Sequence, residues 1–381
     1  MTVLSLTAFA WLTGTALVSW VLPPRHRHAG MALACAAFLA LYAPLSLGVL
    51  AATALLSHGA YRSRRGAPAL LGAVASLAGL LVWFKLERPL LPVKTGFAQA
   101  IPLGLSYYVF KQIHYLFEAY KGRLEAHGLG EYLAYLFFLP TLMAGPINLF
   151  GDFRRDLRRR RFDAGMLSSG MERILHGYAK IVILANYLVA FHFGALVFDL
   201  RISHPALAEY LDCLRHALEV YFQFSGYSDV AIGFGLVMGF RIIENFNYPF
   251  LATNINEVWR RWHISLSGWC RSYVFTPIAA ATRLPYPAII ASMLVLALWH
   301  DITWGYLLWG LYHGAGIAIW QLFQRAKRRL PRVEGRALRR LVRLASSGLT
   351  MTFVILGFAL VKEPSIEATG ALLRRLVGLG G

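Results

Sequence analysis

The amino-acid sequence predicts an all-α protein that crosses a membrane many times. Of its 381 residues, 57% are hydrophobic, 14% are aromatic and only 15% are charged. Soluble domains carry about 25% charged residues, so this composition is typical of a polytopic membrane protein. The hydrophobic residues fall in long blocks along the whole chain, and a spanning helix needs roughly 20 apolar residues. We therefore predict about ten to eleven transmembrane or re-entrant helices.

Ten apolar blocks account for this helix count. The 29–60 block has Pro44 near its middle and is long enough for two short spans, whereas the 206–240 block is too long for one. The blocks lie around residues 3–22, 29–60, 67–86, 98–118, 132–150, 174–200, 206–240, 285–299, 303–323 and 345–361.

The sequence shows no internal repeat, low-complexity linker or shift in composition that would separate a second domain. We therefore predict a single membrane-embedded domain over residues 1–381, with the polar motifs in residues 102–324. Within it, residues 1–28 are predicted to form an N-terminal helix and a basic turn. The first block lacks a small-residue cleavage site after a short apolar core, so it is predicted to be a retained helix rather than a signal peptide.

The formal net charge of +19 comes from arginine clusters near the ends of the apolar blocks. Such clusters favour the cytoplasmic side of a membrane and contact anionic lipid. A nucleic-acid partner is the alternative, but no stacking platform or groove-reading motif accompanies the arginines. We therefore expect membrane lipids and no nucleic acid as partners. The clusters are Arg62, Arg64 and Arg65; Arg154, Arg155 and Arg158 to Arg161; and Arg325 through Arg343.

The cysteines Cys35, Cys213 and Cys270 are too few and too scattered for a disulfide framework or a zinc knuckle. They are predicted to be buried apolar residues. No H-E-x-x-H motif is present, so no metal site is predicted.

Polar residues interrupt the apolar blocks at several places. His114 and Glu118 lie four residues apart on one helix face, near Lys111, and either line an internal cavity or pair charges at a helix end. Gly145 and Pro146 must break a helix. At membrane depth, a broken helix survives only where protein or a wet cavity satisfies the freed backbone groups.

A second polar group lies in residues 221–250. An ionisable residue as deep in an apolar helix as Asp229 should be paired or face a polar cavity. The glycines after it, Gly233, Gly235 and Gly239, offer small surfaces for close helix packing.

The segment from Glu244 to Ile278 contains the densest polar run. Asn254 or Asn256 can cap a helix that carries alternating aromatic residues and arginines and leads to His263. Such a helix also suits the headgroup boundary of a bilayer, where His263 would have no chemical role. Two further histidines weaken that interpretation, because His300 follows an uncharged run and His313 lies in another apolar helix.

These residues suit acyl transfer. A neutral imidazole takes a proton from a hydroxyl near pH 7, because its unperturbed pKa is about 6.5 and burial lowers it further. Acyl transfer also needs an orienting partner and donors for the developing oxyanion. His300 fits the base, and Asn254, Asn256, His263 or an indole N–H fits the partners. A serine-hydrolase mechanism is weaker, since the chain has no G-x-S-x-G elbow.

At these residues the chain resembles the membrane-bound O-acyltransferase superfamily, from about residue 29 onward. Within it, the resemblance is to the bacterial branch that includes the alginate O-acetylation protein and the D-alanyl transfer protein of teichoic acid synthesis. The resemblance implies a ring of transmembrane helices around a central tunnel, with short interfacial helices. It rests on the order and spacing of PLGLSYYVF, AGPI, FSGYSDVAIGFG, GFRIIENFNYPF, WRRWHISLSGW, LWH and WGLYHG.

The resemblance also implies roles for individual residues. His300 matches the near-invariant histidine of the superfamily and is the expected catalytic base, and His263 matches its second histidine. The expected donor is an acyl thioester, either acetyl-CoA or an acyl carrier protein, with no tightly bound cofactor. The residues predicted to bind substrate or donor are Asn254, Asn256, Trp259, Arg260, Arg261, Ser265, Asp229 and His313.

The implied reaction moves an acyl group, expected to be acetyl, from the cytoplasm across the bacterial plasma (inner) membrane. The acceptor is a hydroxyl of a cell-envelope polysaccharide, or of an extracytoplasmic acyltransferase or esterase-like partner. Two alternatives stay open, D-alanyl transfer from a carrier protein to teichoic-acid-type polymers and a non-catalytic export or scaffold subunit. A transporter should show repeat symmetry between its halves, which this sequence lacks.

The chain departs from the superfamily pattern at a few positions. Asp301 stands where a glycine usually follows the catalytic histidine. A carboxylate there can raise the pKa of His300, orient its ring or hinder substrate. Ser272, Phe275 and Gln223 also replace residues that are common in the superfamily, so the resemblance leaves the choice of substrate open.

Overall fold

A computed structural model describes residues 6–63, 66–90, 101–143, 145–329, 334–363, 365–376 and 378. Every regular element in these ranges is a helix, so the predicted all-α class is confirmed for them. In this described part of the chain, three helices are long and apolar enough to cross a membrane, Ala67–Leu86, Ala164–Ser203 and Arg336–Lys362. The apolar helices Leu6–Val21 and Pro285–His300 are shorter. The count of ten to eleven membrane helices and the ring around a tunnel stay predictions. Some residues of the predicted clusters and motifs lie outside the described ranges, namely Arg64, Arg65, Ala144 and residues 330–333.

The chain divides into two compact units, Met1–Tyr178 with Gly226–Ile243 and Ala179–Ser225 with Glu244–Gly381. The prediction of one membrane domain over residues 1–381 stays a prediction. A long helix, α11 (Pro205–Val237), contributes to unit 2 up to Ser225 and to unit 1 from Gly226.

Unit 1 contains nine helices before α11 in its described residues. They are α1 (Leu6–Val21), α2 (Arg27–Tyr42), α3 (Pro44–Arg62), α4 (Ala67–Leu90), α5 (Leu105–Tyr120), α6 (Leu129–Leu136), α7 (Leu139–Leu142), α8 (Phe150–Arg159) and α9 (Ala164–Ala179), with a 3₁₀ turn at Pro24–His26. The division of the 29–60 block into two helices is confirmed, because Pro44 begins α3 directly after α2 ends at Tyr42.

Helices α9 and α11 pack closely through glycine. A Cβ placed on Gly233 would lie 2.7 Å from the carbonyl oxygen of Gly170, and a Cβ on Gly177 would lie 2.7 Å from that of Gly226. Larger residues would therefore force the two backbones apart. The predicted packing role of Gly233 is confirmed.

The helix break predicted at Gly145 and Pro146 is confirmed, because α7 ends at Leu142 and α8 begins only at Phe150. Buried side chains satisfy part of the freed backbone. His114 Nε2 accepts a hydrogen bond from the backbone N–H of Phe150 at 3.1 Å, and the hydroxyl of Tyr135 donates to the carbonyl of Asn148 at 2.7 Å. Of the two roles predicted for α5, Glu118 has the charge-pairing one, since it forms ion pairs with Lys121 and Arg123.

Asp229 is buried in α11 and accepts a hydrogen bond from Arg173 Nε of α9 at 2.6 Å. The prediction that this carboxylate is paired is confirmed. Its predicted part in substrate binding is a separate matter and stays a prediction.

Unit 2 contains helices α10 (Gly194–Ser203), α12 (Ile255–Arg261), α13 (Ile264–Cys270), α14 (Thr276–Thr282), α15 (Pro285–His300), α16 (Trp304–Lys327), α17 (Arg336–Lys362) and α18 (Ile366–Leu376). Two π-helical stretches, Lys180–Phe193 and Arg271–Phe275, and a 3₁₀ turn at Pro249–Leu251 complete it. Helix α15 packs along α16, and α16 along α17. All three cysteines are buried and free, which confirms the prediction made for them.

Candidate active site

The wall of the candidate site is the short helix pair α12 and α13 in unit 2. Asn254 caps α12 by accepting a hydrogen bond from the backbone N–H of Glu257 at 2.9 Å. In return, the Glu257 carboxylate accepts bonds from the backbone N–H and the hydroxyl of Thr253. These bonds, together with Arg261, lower the pKa of Glu257. Asn254 therefore has the capping role that the sequence predicts.

His263 joins the two helices in a left-handed backbone conformation, with φ of 46°. A residue other than glycine with such a φ is uncommon, and it persists where the surrounding structure holds it. Asn245 stabilises this conformation through hydrogen bonds with the residues that follow His263. Its side-chain oxygen accepts hydrogen bonds from Ser265 N at 3.2 Å and Ser265 Oγ at 2.9 Å, and its carbonyl accepts one from Ile264 N at 2.9 Å.

The ring of His263 is only 1% exposed. Its centroid lies 4.6 Å from that of Phe224, 5.4 Å from that of Trp299 and 6.3 Å from that of His300. Burial, and to a smaller degree the neighbouring His300, lowers the pKa of His263. His263 is therefore a neutral imidazole at physiological pH, and within the described residues its Nε2 has no hydrogen-bond partner.

His300 is the last residue of α15, and its side chain is exposed. The expectation that burial keeps His300 free as a base is therefore wrong, and of these two histidines only His263 is buried. The physical reason is that the helix ends at His300 and the backbone becomes extended at Asp301, so fewer residues surround the ring. The ring lies parallel to that of Tyr306, with centroids 5.5 Å apart.

The carboxylate of Asp301 takes part in the turn after α15. Its Oδ1 accepts a hydrogen bond from the backbone N–H of Ile302 at 2.9 Å. Two residues later, Thr303 caps α16 by accepting a bond from Tyr306 N at 3.3 Å. Asp301 therefore binds the local backbone, at the position where the resemblance led us to expect glycine.

Three buried side chains, Trp259, Trp309 and His313, lie near the two histidines. Their ring centroids are 4.6 to 5.5 Å apart, and the ring of Trp309 is 6.2 Å from that of His300. In the part of the chain that the structure describes, both indole N–H groups and both nitrogens of His313 lack a hydrogen-bond partner. Buried polar groups are rarely left unpaired in proteins, so these atoms are candidates for contact with a ligand.

A cavity of about 310 Å³ opens beside Trp259. Small-molecule sites have volumes of about 300–1,000 Å³ and combine apolar walls with a few polar groups, as this one does. Its lining residues are Asn256, Trp259, Arg260, Ser267, Cys270, Arg271, Phe275, Ile289, Ser292, Met293, Leu296, Ile317 and Gln321. Arg260 and Arg271 are exposed, and neither has an ion-pair partner among the described residues.

The structure thus brings together some of the predicted residues and separates others. His263, His300, Trp259 and His313 form one cluster, and Asn256 and Arg260 line the cavity with Trp259. Three predicted residues are already engaged within the wall itself, Asn254 as a cap, Arg261 in an ion pair with Glu257, and Ser265 with Asn245. Asp229 belongs to the other unit.

Sequence reasoning missed Asn245, Tyr306 and Trp309, although Asn245 and Trp309 lie in the motifs ENFNYPF and WGLYHG. It also missed Arg271 and Gln321, for which the sequence gives no signal. Among the described residues, no group of three or more His, Cys, Asp or Glu side chains is arranged to hold a metal ion.

Residues 28–342 match the family model described as MBOAT, membrane-bound O-acyltransferase family. Among similar curated proteins, the probable alginate O-acetylase AlgI of Azotobacter vinelandii is 38% identical over 226 residues, which cover 58% of this chain and 44% of that protein. The peptidoglycan O-acetyltransferase of Helicobacter pylori is 27% identical over 74% of this chain and 58% of its own. The teichoic acid D-alanyltransferase of Streptococcus thermophilus is 30% identical over 60% of this chain and 59% of its own.

The matched part spans about half the length of the first of these relatives. The family match, in contrast, covers most of this chain and includes α12 to α16, which carry both histidines and the cavity. The chain belongs to the membrane-bound O-acyltransferase family.

Proposed function

We propose that this chain is an O-acyltransferase of the bacterial plasma membrane. It moves an acetyl group from a thioester donor to a hydroxyl of a cell-envelope polysaccharide or of a partner transferase. The observation that carries this proposal is the pair of histidine rings, His263 and His300, with centroids 6.3 Å apart. They lie next to indole and imidazole nitrogens that have no hydrogen-bond partner among the described residues. Family membership and relatives named as O-acetylases support the reaction class.

In the proposed reaction, His300 is the general base. Its imidazole takes the proton of the acceptor hydroxyl while the hydroxyl oxygen attacks the thioester carbonyl carbon. The resulting tetrahedral oxyanion collapses, the carbon–sulfur bond breaks, and the leaving thiolate takes the proton back from the imidazolium. The exposure of His300 supports this role, because an acceptor can reach its ring.

His263 suits a different role in the same reaction. It is buried and neutral, and its Nε2 is unpartnered within the described residues, so it can donate a hydrogen bond to the oxyanion from a fixed position. The indole N–H groups of Trp259 and Trp309 are further candidate donors. Such preorganised donors stabilise charge that develops only in the transition state.

The cavity beside Trp259 suits the donor. Arginine guanidiniums pair with phosphate or carboxylate in bidentate geometry, and Arg260 and Arg271 are available for this. Both proposed donors, acetyl-CoA and an acylated carrier protein, carry phosphate on the arm that holds the thioester. The apolar side chains Met293 and Leu296 supply the remaining wall one to two turns before His300 in α15.

D-alanyl transfer from a carrier protein is the second candidate function, favoured by the D-alanyltransferases among the relatives. The two reactions share the histidine chemistry and differ in donor and acceptor. A non-catalytic scaffold role is the third.

The test is transfer of labelled acyl groups in membranes that contain the full chain and its polymer, with acetyl-CoA and a D-alanyl carrier protein offered in turn. We expect acetyl transfer, and we expect its loss in His300→Ala. The matched control is His204→Ala, which removes an exposed histidine whose side chain is bonded only to Ser203 among the described contacts. Equal activity of the two variants contradicts the assignment, and transfer of D-alanine alone selects the second candidate.

A further inference from the structure

Unit 1 has a cleft of about 590 Å³ that no step of the proposed reaction uses. Its lining contains five arginines and two aspartates, and is therefore strongly positive. The arginines are Arg155, Arg159 and Arg160 at the end of α8, Arg161 after it, and Arg241 after α11; Phe162, Met166 and Gly239 are also part of the lining.

The two aspartates neutralise only part of this charge. Asp156 accepts a hydrogen bond from the backbone N–H of Arg241 at 2.9 Å and forms an ion pair with Arg155. Asp163 accepts a bond from the backbone N–H of Met166 at 3.0 Å, at the start of α9. Three guanidiniums, those of Arg159, Arg161 and Arg241, have no hydrogen-bond or ion-pair partner in the described part of the chain.

Arg160 fixes one side of the cleft. Its guanidinium lies 4.0 Å from the ring centroid of Trp20 and donates to the hydroxyl of Ser19 at 2.7 Å. Trp20 is itself held in place, because its indole N–H donates to the carbonyl of Val237 at 2.8 Å. The cleft is therefore a built site in which one arginine is rigid and three others are free to bind an anion.

The surroundings of the cleft resemble a membrane interface. Trp20 lies near the end of the apolar helix α1 and contacts Phe162, which is 66% exposed. Tryptophan and arginine are enriched together where a bilayer meets water. Helix α1 exposes Leu17 and Val21 near the same end, so an apolar surface leads up to the arginines.

We propose that this cleft binds the phosphate of an anionic phospholipid whose acyl chains lie along α1. The guanidiniums of Arg159, Arg161 and Arg241 pair with the headgroup phosphate. Arg160 packs against Trp20 and fixes one side of the cleft. A lipid fits better than a free phosphate, because only a lipid uses both the arginines and the exposed apolar face. This proposal is independent of the acyltransferase mechanism.

The test uses the full chain in a non-ionic detergent and measures the binding of fluorescent phosphatidylglycerol by anisotropy. We expect tight binding relative to phosphatidylcholine. In Arg159→Gln/Arg161→Gln/Arg241→Gln, we expect the dissociation constant to rise by about 100-fold, because each arginine near an anionic headgroup contributes about five-fold. An excess of inorganic phosphate should leave most of the lipid bound.

The matched control is Arg123→Gln/Arg283→Gln/Arg374→Gln, which removes three exposed arginines outside the cleft and outside the basic clusters, and changes the net charge equally. We expect its dissociation constant to stay within about two-fold of the wild-type value, since none of the three residues lines the cleft. Equal losses in the two triple variants, equal binding of both lipids, or full displacement by inorganic phosphate would each overturn the proposal.

Discussion

The two histidines of the candidate site are neighbours, yet the protein holds them in opposite ways. His263 is buried, lies in a strained left-handed backbone conformation and is fixed through the hydrogen bonds of Asn245 to the residues after it. His300 ends a helix, is exposed, and has Tyr306 stacked parallel to its ring. The difference suits two separate roles. The fixed, neutral His263 stabilises negative charge, and the accessible His300 exchanges protons.

The largest expected effect is on His300. We expect His300→Ala to lower the rate of acyl transfer by about 10²–10⁴-fold, which is the usual contribution of a general base. Because the ring is exposed, its removal leaves an open space, and added imidazole should restore part of the rate. His263→Ala should show no such rescue, since the buried space is closed to imidazole. Transfer assays with and without imidazole measure both, and rescue of His263→Ala alone would reverse the proposed roles.

The next effect concerns Asn245, which supports the wall around His263. Asn245→Ala should reduce the free energy of unfolding by about 1–3 kcal/mol, because Ser265 N and Oγ lose their buried acceptor. Asn247→Ala is the matched control, because Asn247 is exposed and its hydrogen bonds in the described residues use its backbone. Its cost should stay within about 0.5 kcal/mol. Denaturation in detergent compares the two, and equal costs would mean that Asn245 does not hold the wall.

A pH effect on stability should follow from His263. Its pKa in the folded protein lies below the value of 6.5, so the unfolded chain binds the proton more readily. His263 therefore leaves the free energy of unfolding unchanged above pH 6.5. Below pH 6.5 it lowers the free energy of unfolding by up to about 1.4 kcal/mol per pH unit, until the pKa of the folded protein is reached. His263→Asn should remove this part of the slope, since asparagine tolerates the left-handed conformation and does not titrate there. Unfolding at pH 5 and pH 7 measures the slope, and an unchanged slope in the variant would contradict the assignment.

The sequence predicted the helical class, the break at Gly145 and Pro146 and the pairing of Asp229, because each follows from composition or from the local cost of a buried polar group. It also predicted which segments contain the histidines. It did not predict which histidine is buried, since that depends on where α15 ends and on what surrounds the ring of His263. The sequence also did not predict the roles of Ser265 and Arg261. Ser265 donates a hydrogen bond to Asn245 and Arg261 forms an ion pair with Glu257, and both contacts depend on how the α12–α13 wall folds.

The smallest expected effect is at Asp301, beside the accessible histidine. Its carboxylate accepts a hydrogen bond from Ile302 N, so Asp301→Gly should cost about 0.5–1.5 kcal/mol of stability. The backbone there is extended, a conformation open to any residue, so the turn itself does not need glycine. If the carboxylate serves only this turn, the rate of acyl transfer should change by less than about three-fold, or about 0.7 kcal/mol in the barrier. A wild-type chain that is inactive, together with an active Asp301→Gly variant, would instead mean that the carboxylate blocks the base and that the natural chain acts as a scaffold.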